Sequence, residues 1–324
     1  MRQAILTLQH IQKKFGTKEV LQDLNLTVEK GEILSLVGPS GSGKTTILKL
    51  MNQLVRQTSG TILFNNQDIQ TQDIRHVRWQ MGYVLQEIAL FPNMTVAENI
   101  AVIPEMMRWN KNEIKEKTWE LLQEVGLDPD VYAPRFPHEL SGGEQQRIGI
   151  LRALIFAPEI LLMDEPFSAL DPLSRTALQD LVLDLYAKRK MTIVLVTHDM
   201  EEALKMGSRI AVIHEGVIQQ LSKPSAIVLQ PANDFVREFF KQTNQKVTLE
   251  EKIILSFIYQ VALNQPVPGQ PTLNVQQNLG QLIRAVEKAE VVNIEKEEEC
   301  LGSVNRSLLL ELLVAALGQH EVAH

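Results

Sequence analysis

Cysteine is all but missing: Cys300 stands alone in 324 residues, which excludes an intrachain disulfide and fits a reducing compartment without requiring one. With no activating partner identifiable in the sequence, a lone thiol reads as a small apolar filler before it reads as a nucleophile. A surplus of basic residues is also lacking. The formal net charge is −7, which argues against a nucleic-acid or anionic-lipid footprint. Long hydrophobic runs are absent too: the late apolar stretch 253–263 falls well short of the roughly 20 residues a membrane span needs. The N-terminus mixes Arg2, His10, Lys13 and Lys14 with apolar residues and has no apolar core leading to a small-residue cleavage site, so no secretory signal and no export are expected. What remains is ordinary globular usage, 44% hydrophobic and 22% charged, in a chain long enough for a large domain plus a smaller one.

The most informative stretch is Gly38-Pro39-Ser40-Gly41-Ser42-Gly43-Lys44-Thr45-Thr46. An apolar run at 33–37 precedes it as a buried strand, and the apolar spacing of 45–51 follows it as a helix. Gly38, Gly41 and Gly43 let the backbone turn tightly, so that successive amides and the helix N-terminus face phosphates. In that frame Lys44 reaches the β- and γ-phosphates, and Thr45 offers its hydroxyl to Mg²⁺.

Before this loop, residues 1–30 alternate apolar and polar side chains and predict half-exposed antiparallel strands closed by Lys30-Gly31. After it, a strand is expected at Thr61–Phe64 with Asn65-Asn66 as its turn. Ile114, Thr118, Leu121, Leu122 and Val125 space as an amphipathic helix before Gly126, Pro129, Pro134 and Pro137 break the pattern, which suggests an inserted helical subdomain. From 148 to 213 helical faces alternate with short apolar runs at 160–163, 193–196 and 210–213, predicting a parallel sheet with covering helices. Periodicity lapses at 231–247, where Pro231 and the polar run 241–245 mark a domain boundary.

Met163-Asp164-Glu165-Pro166 ends one of the apolar strands, placing its carboxylates at the crevice beyond the strand's C-terminal end. Asp164 suits a magnesium ion, and Glu165 suits the orientation of an attacking water. Leu140-Ser141-Gly142-Gly143-Glu144-Gln145-Gln146-Arg147 opens a helix with a serine cap and two glycines, a second anion-binding start. It is either redundant with residues 38–46 or intended for a neighbour's nucleotide.

Residues 140–147 resemble the signature motif of ABC-transporter ATPases, with Walker A at 38–45 and Walker B ending at Asp164-Glu165, over about residues 5–240. The resemblance implies an α/β P-loop ATPase fold with a mainly parallel sheet, an antiparallel N-terminal β-subdomain and a helical subdomain at about 90–158, within a nucleotide-binding domain at 1–240. It implies ATP and Mg²⁺ as ligands and a head-to-tail homodimer in which Ser141, Gly142 and Gly143 of one copy close on the γ-phosphate held by the other. Gln86 is similar to the Q-loop glutamine that senses Mg²⁺ and the transmembrane partner, Asp171 to the D-loop aspartate, and His198 to the switch histidine on the γ-phosphate. Phe15 sits where the family stacks an aromatic on adenine, with a core role as its alternative reading. The run 90–100, continued by Val102-Ile103-Pro104-Glu105 and Trp109, resembles importers of glycine betaine, carnitine and choline. That likeness implies permease subunits in the membrane, a solute-binding protein behind them, a place on the cytoplasmic face, and no nucleic-acid partner. A soluble ABC protein acting on ribosomes or DNA is the rival from another class, and a purely regulatory binding module a third reading.

In residues 241–324 a helix is expected over 248–263 and a Pro-rich stretch over 265–271. Beyond them β-α-β-β-α runs through Thr272–Val275, Leu279–Val286, Val291-Val292, Leu301–Val304 and Leu308–Leu317. This resembles one cystathionine-β-synthase-type (CBS) motif, and the resemblance implies that two subunits pair their copies. Where a nucleotide-binding copy shows a hydroxyl and, three residues later, an aspartate, this chain has Asn305 and Leu308. Structural dimerisation and ligand sensing therefore both stay open, as does a ferredoxin-like amino-acid sensor of the kind methionine importers carry. Glu295 and Glu297–Glu299 read as a solvated turn rather than a metal site.

Overall fold

The computed structural model describes residues 3–243, 267–274, 279–296 and 299–307. They divide into two units, residues 1–221 and 222–324. In the first unit β1 (Ala4–Phe15), β2 (Lys18–Glu29), β3 (Ile33–Val37) and α1 (Lys44–Met51) come in turn, followed by β4 (Ser59–Phe64), β5 (Gln67–Asp68), α2 (Ile74–Trp79) and β6 (Met81–Val84). The helices α3 (Val96–Met106), α4 (Lys111–Glu124), α5 (Pro129–Tyr132) and α6 (Gly142–Leu154) occur together with no strand between them. Strand and helix then alternate through β7 (Ile160–Asp164), α7 (Pro172–Arg189), β8 (Thr192–Thr197), α8 (Met200–Met206), β9 (Arg209–His214) and β10 (Val217–Ser222).

Two sheets result. β2-β1-β4-β5 is antiparallel, as the alternation of residues 1–30 predicts. The larger sheet runs β10-β9-β3-β8-β7-β6, and β9, β3, β8, β7 and β6 are mutually parallel. Its central strands are buried along their whole length and mostly apolar because helices or the other sheet cover both faces. Alternate residues face opposite cores: Leu34, Leu36, Ile160, Leu162, Val194 and Val196 pack towards α1 and the antiparallel sheet. Ile33, Leu161, Met163, Ile193 and Leu195 pack towards α6 and α7. The C-terminal ends of β3, β7 and β8 therefore open at one edge, where a doubly covered parallel sheet places its ligand crevice.

Asn99, fully buried on α3, fixes the loop before that helix. It accepts the Phe91 amide at 2.8 Å and donates to the Phe91, Met94 and Thr95 carbonyls at 3.0–3.1 Å.

In the second unit α9 (Pro224–Leu229) and α10 (Asp234–Thr243) precede β11 (Thr272–Asn274), α11 (Leu279–Lys288), β12 (Val291–Lys296) and β13 (Glu299–Asn305). The expected lapse at 231–247 is corrected here, because residues 234–243 are helical, with Val236 and Phe240 buried four residues apart and Phe235 stacked on Phe239 at 5.7 Å. β11 is parallel to β12 and β12 antiparallel to β13, which is the expected β-α-β-β order. Asn293, buried on β12, accepts the Val267 amide at 3.0 Å and donates to its carbonyl at 2.9 Å, fixing the segment that leads into β11. The helices expected at 248–263 and 308–317, and Leu308 itself, lie outside the described residues.

Candidate functional site

Between β3 and α1 the chain turns over a loop that only glycine fits at two places. A Cβ on Gly38 would lie 2.0 Å from the Ile213 carbonyl oxygen, and one on Gly43, at φ 103°, would lie 2.7 Å from Leu21 Cδ2. Among the described residues no hydrogen bond reaches the amides of Gly41, Gly43, Lys44, Thr45 or Thr46, and α1 has no side-chain cap. Buried Ser42 Oγ likewise lacks a partner. A row of bare donors at a helix start demands an anion. Lys44 Nζ donates to the Gly38 and Pro39 carbonyls at 2.8 Å each. Burial pushes the lysine's pKa down, opposed by the charges of Glu165 and Asp164.

The cleft above this loop measures about 780 Å³ and is lined by Ser40, Gly41, Gly43, Lys44, Thr45, Thr46, Gln86, Glu165 and His198, with Lys18–Val20, Gln22 and Glu215 on its far wall. Sequence reasoning missed that far wall. The β1–β2 hairpin and the β9–β10 turn carry no motif, and only the fold brings them here.

Asp164 ends β7 and accepts the Thr45 hydroxyl at 2.8 Å. Burial raises its pKa, against the Thr45 bond. Tyr83 OH lies 3.5 Å from its other oxygen, and the tyrosine's pKa is raised by burial, with the Asp164 charge adding to it. Glu165 follows at φ 45°, in the left-handed region, where a non-glycine residue costs about 1–3 kcal/mol and persists only when its surroundings hold it. Its amide donates to the Val196 carbonyl at 2.9 Å, and its carbonyl accepts the Ser168 hydroxyl at 3.0 Å. The turn aims its carboxylate between two partners: Oε2 lies 2.9 Å from His198 Nδ1 and 3.4 Å from Gln86 Nε2.

Not every expected residue converges. Ser141 caps α6, and Asp171 caps α7 by accepting the Leu173 and Ser174 amides at 3.1 Å; neither they nor Gly142 and Gly143 line the cleft. The Gly142 and Gly143 amides have no partner among the described residues. A Cβ on either glycine would come no nearer than 3.5 Å to the rest of the chain, so the chain's own packing does not require them. Phe15 is 49% exposed, which removes the core alternative, and Lys13 Nζ sits 4.5 Å from its ring centroid.

The residues at the loop fit a divalent ion bound together with phosphate better than a site built from protein ligands alone. Among the described residues no three His, Cys, Asp or Glu side chains converge on a metal-sized space, whereas the adjacent Thr45 hydroxyl and Asp164 carboxylate suit Mg²⁺, which keeps its remaining positions for water and substrate oxygens.

The family model described as ABC transporter matches residues 21–168. The chain is 46% identical over 78% of its length to the osmoprotectant import ATP-binding protein OsmV of Salmonella typhimurium; the match spans 65% of that protein, a little under two thirds. It is 40% identical over 89% of its length to the glycine betaine/carnitine/choline transport ATP-binding protein OpuCA of Bacillus subtilis, spanning 74% of it. Among solved structures, the ATP-binding cassette MJ0796, a dimer in a post-hydrolysis state bound to ADP and Pi, superposes with a TM-score of 0.60 at 31% identity, covering 68% of this chain and 98% of that one.

Proposed function

The chain belongs to the ABC-transporter family of ATP-binding subunits, and from that premise we propose that it is the ATP-hydrolysing subunit of an importer for quaternary-ammonium osmoprotectants such as glycine betaine, carnitine and choline. The observation that carries the reading is the joining of Gln86, Glu165 and His198 over the Lys44–Thr45 loop in one cleft. The carboxylate that would accept the water's proton is thus held by two partners within the cleft that the phosphate loop lines.

In this reading the bare amides of Gly41, Gly43, Lys44, Thr45 and Thr46, with the Lys44 side chain, bind the β- and γ-phosphates, Phe15 stacks on adenine, and Thr45, Asp164 and Gln86 would hold Mg²⁺, which would neutralise phosphate charge. Glu165 orients water and takes its proton. His198, whose Nδ1 lies 2.9 Å from Glu165 Oε2, contacts the γ-phosphate. Since positioning and charge stabilisation supply nearly all the catalysis of phosphoryl transfer, these roles suffice for hydrolysis. Gly142 and Gly143 keep room and free amides on a surface that the chain's own fold leaves unused. That supports a homodimer in which each copy's Ser141, Gly142 and Gly143 close on the other's nucleotide, with Asp171 at the same contact.

The relatives' printed substrates support the solute class. No described helix is long and apolar enough to cross a membrane, so the reading needs separate permease subunits, a place on the cytoplasmic face beneath them, and a solute-binding protein beyond. The β-α-β-β of the second unit supports the CBS-like reading and its role in pairing two copies.

Glu165→Gln tests the chemistry. Its amide retains partners for Gln86 and His198 but accepts no proton, so ATP binding stays, closed dimers accumulate, and turnover falls by about 10²–10⁴. Near-normal hydrolysis in that variant, or equal turnover in a strictly monomeric form, overturns the reading. Reconstitution with the neighbouring membrane and solute-binding subunits tests the cargo: glycine betaine or choline must raise the ATPase rate.

A further inference from the structure

The backbone on both sides of His198 is held more firmly than its side chain, which is 60% exposed. Thr197, buried, donates its hydroxyl to Glu202 at 2.6 Å and accepts the Asp199 amide at 2.9 Å. Asp199 caps α8, accepting the Glu201 and Glu202 amides at 2.8 and 3.3 Å. Glu202 is itself buried, and two carboxylates so placed need a counter-charge.

Arg175 of α7 supplies it. Its Nη1 lies 3.6 Å from Asp199 Oδ2 and its Nε 3.8 Å from Glu202 Oε1. These are ion-pair separations rather than hydrogen bonds, and among the described residues Arg175 Nε is buried without a hydrogen-bond partner; buried donors are rarely left so. Arg175 also grips the loop after Glu165, where Nη2 donates to the Leu170 carbonyl at 3.4 Å and the backbone amide to the Asp171 carbonyl at 2.9 Å. The contacts close a ring. It runs from Glu165 through Ser168 to Leu170, across Arg175 to Asp199 and Glu202, and back through Thr197 and His198 to Glu165.

We propose that Arg175 is a positioning residue for His198: it ties the Thr197–Asp199–Glu202 cluster to the 168–171 loop, so that displacement of that loop moves His198 relative to Glu165. The proposal rests on the ATPase reading above. The unused Nε gives the guanidinium a second arrangement, in which a shift of under about 1 Å turns the 3.8 Å separation into a charge-assisted hydrogen bond.

Four variants test it: Arg175→Gln, Arg175→Lys, His198→Ala and the Arg175→Gln/His198→Ala double. Steady-state ATP hydrolysis and titration with a fluorescent ATP analogue are measured on the full chain. Arg175→Gln is expected to lower kcat about tenfold, with KM and analogue affinity within about twofold, because coupling through neighbours is worth roughly that much. Arg175→Lys recovers only part, since one ammonium cannot face both carboxylates and the loop carbonyl as a planar fork does. In the His198→Ala background the Arg175 change adds nothing. Should Arg175→Gln unfold, Thr197→Val cuts the same ring at its other end with the same expected kcat loss.

Lys205→Ala is the control. Lys205 Nζ pairs with Asp180 at 2.6 Å, holding α7 to α8 without touching the His198 loop, so its loss leaves kcat in place. A raised KM at unchanged kcat, losses that multiply in the double variant, or an equal loss in Lys205→Ala overturns the proposal. If the wild type fails to turn over ATP, the functional reading fails instead. The His198 ring signals in NMR spectra of the nucleotide-free protein then decide the positioning by themselves: they must shift in Arg175→Gln and stay in Lys205→Ala.

Discussion

Alanine in place of Gly38 is expected to damage the cleft far more than alanine in place of Gly41, although both sit in one loop. A Cβ on Gly38 meets the Ile213 carbonyl oxygen at 2.0 Å and Ser42 Oγ at 2.9 Å. The first obstacle is the backbone of β9 in the central sheet, so no side-chain rotation relieves it. Carbon–oxygen contact needs ~3.3 Å, so the loop must lift by about 1 Å and carry its amides with it. Overpacking of this kind costs about 1–3 kcal/mol beyond any backbone strain. A Cβ on Gly41 meets nothing within 4 Å, and its φ of 79° is the whole cost, about 1–2 kcal/mol for a left-handed residue. Gly43→Ala falls between them, because its clash is with the movable end of Leu21. At about 2–4 °C per kcal/mol for a domain of this size, the extra overpacking cost should make Gly38→Ala melt about 2–12 °C below Gly41→Ala. Its affinity for a fluorescent ATP analogue should fall at least about tenfold, which is ~1.4 kcal/mol of lost contact with the displaced amides. Thermal melts and titrations of the three variants check this. Equal melting temperatures and equal affinities for Gly38→Ala and Gly41→Ala would refute the claim that the sheet, rather than loop strain, dictates glycine at 38.

Two further substitutions probe the supports of the site. Tyr132 OH donates to Glu144 at 2.7 Å, and that bond, ahead of the Ser141 contacts, holds the Glu144 pKa below the ordinary glutamate range. A depressed carboxylate pKa stabilises the fold above the unfolded value and loses that contribution as pH falls through the folded one. Tyr132→Phe should therefore cost ~0.5–1 kcal/mol near pH 7, with the gap to wild type closing below the usual glutamate range; urea melts at both pH values that gave the same gap would contradict the ionised bond. Asn99→Ala strands the Phe91 amide and releases three carbonyls, for about 3 kcal/mol in chemical denaturation; a loss below ~1 kcal/mol would mean that the loop before α3 is held by something else.

The central strands of the large sheet were legible because burial on both faces leaves nearly continuous apolar runs such as Ile33–Val37, interrupted by Ser35, and Ile193–Val196. The cleft's near wall was legible for a different reason. Phosphate binding constrains glycines, a lysine and a hydroxyl at fixed spacing, and that pattern survives in the linear order. β6 and β10 went unnamed: β6 is only four residues long, and β10 has no apolar alternation, since its positions are all partly exposed or open. Nor could spacing reveal the wall formed by Lys18–Val20, Gln22 and Glu215, which carry no motif and are brought to the cleft by β1–β2 pairing and by the β9–β10 turn. The Arg175–Asp199–Glu202 cluster joins residues 24 and more positions apart, and only the packing of α7 against α8 makes it one unit.

Glu165 ties these levels together. In a left-handed backbone conformation a glutamate is a poor choice for stability, and glycine or asparagine would suit φ 45° better. The chain holds it there with the Val196 carbonyl on one side and Ser168 on the other, and the direction gained is the one that lays its carboxylate against His198 and Gln86. A neutral turn would need none of this. Strain that is stabilised from both flanks, next to bare amides that demand an anion, is the arrangement expected where a base must wait in position for a water that has not yet arrived. The proposed dimer gives Gly142 and Gly143 the same kind of account: among the described residues they have room for a methyl group and no partner for their amides, and in that proposal a nucleotide held by a second copy fills the space.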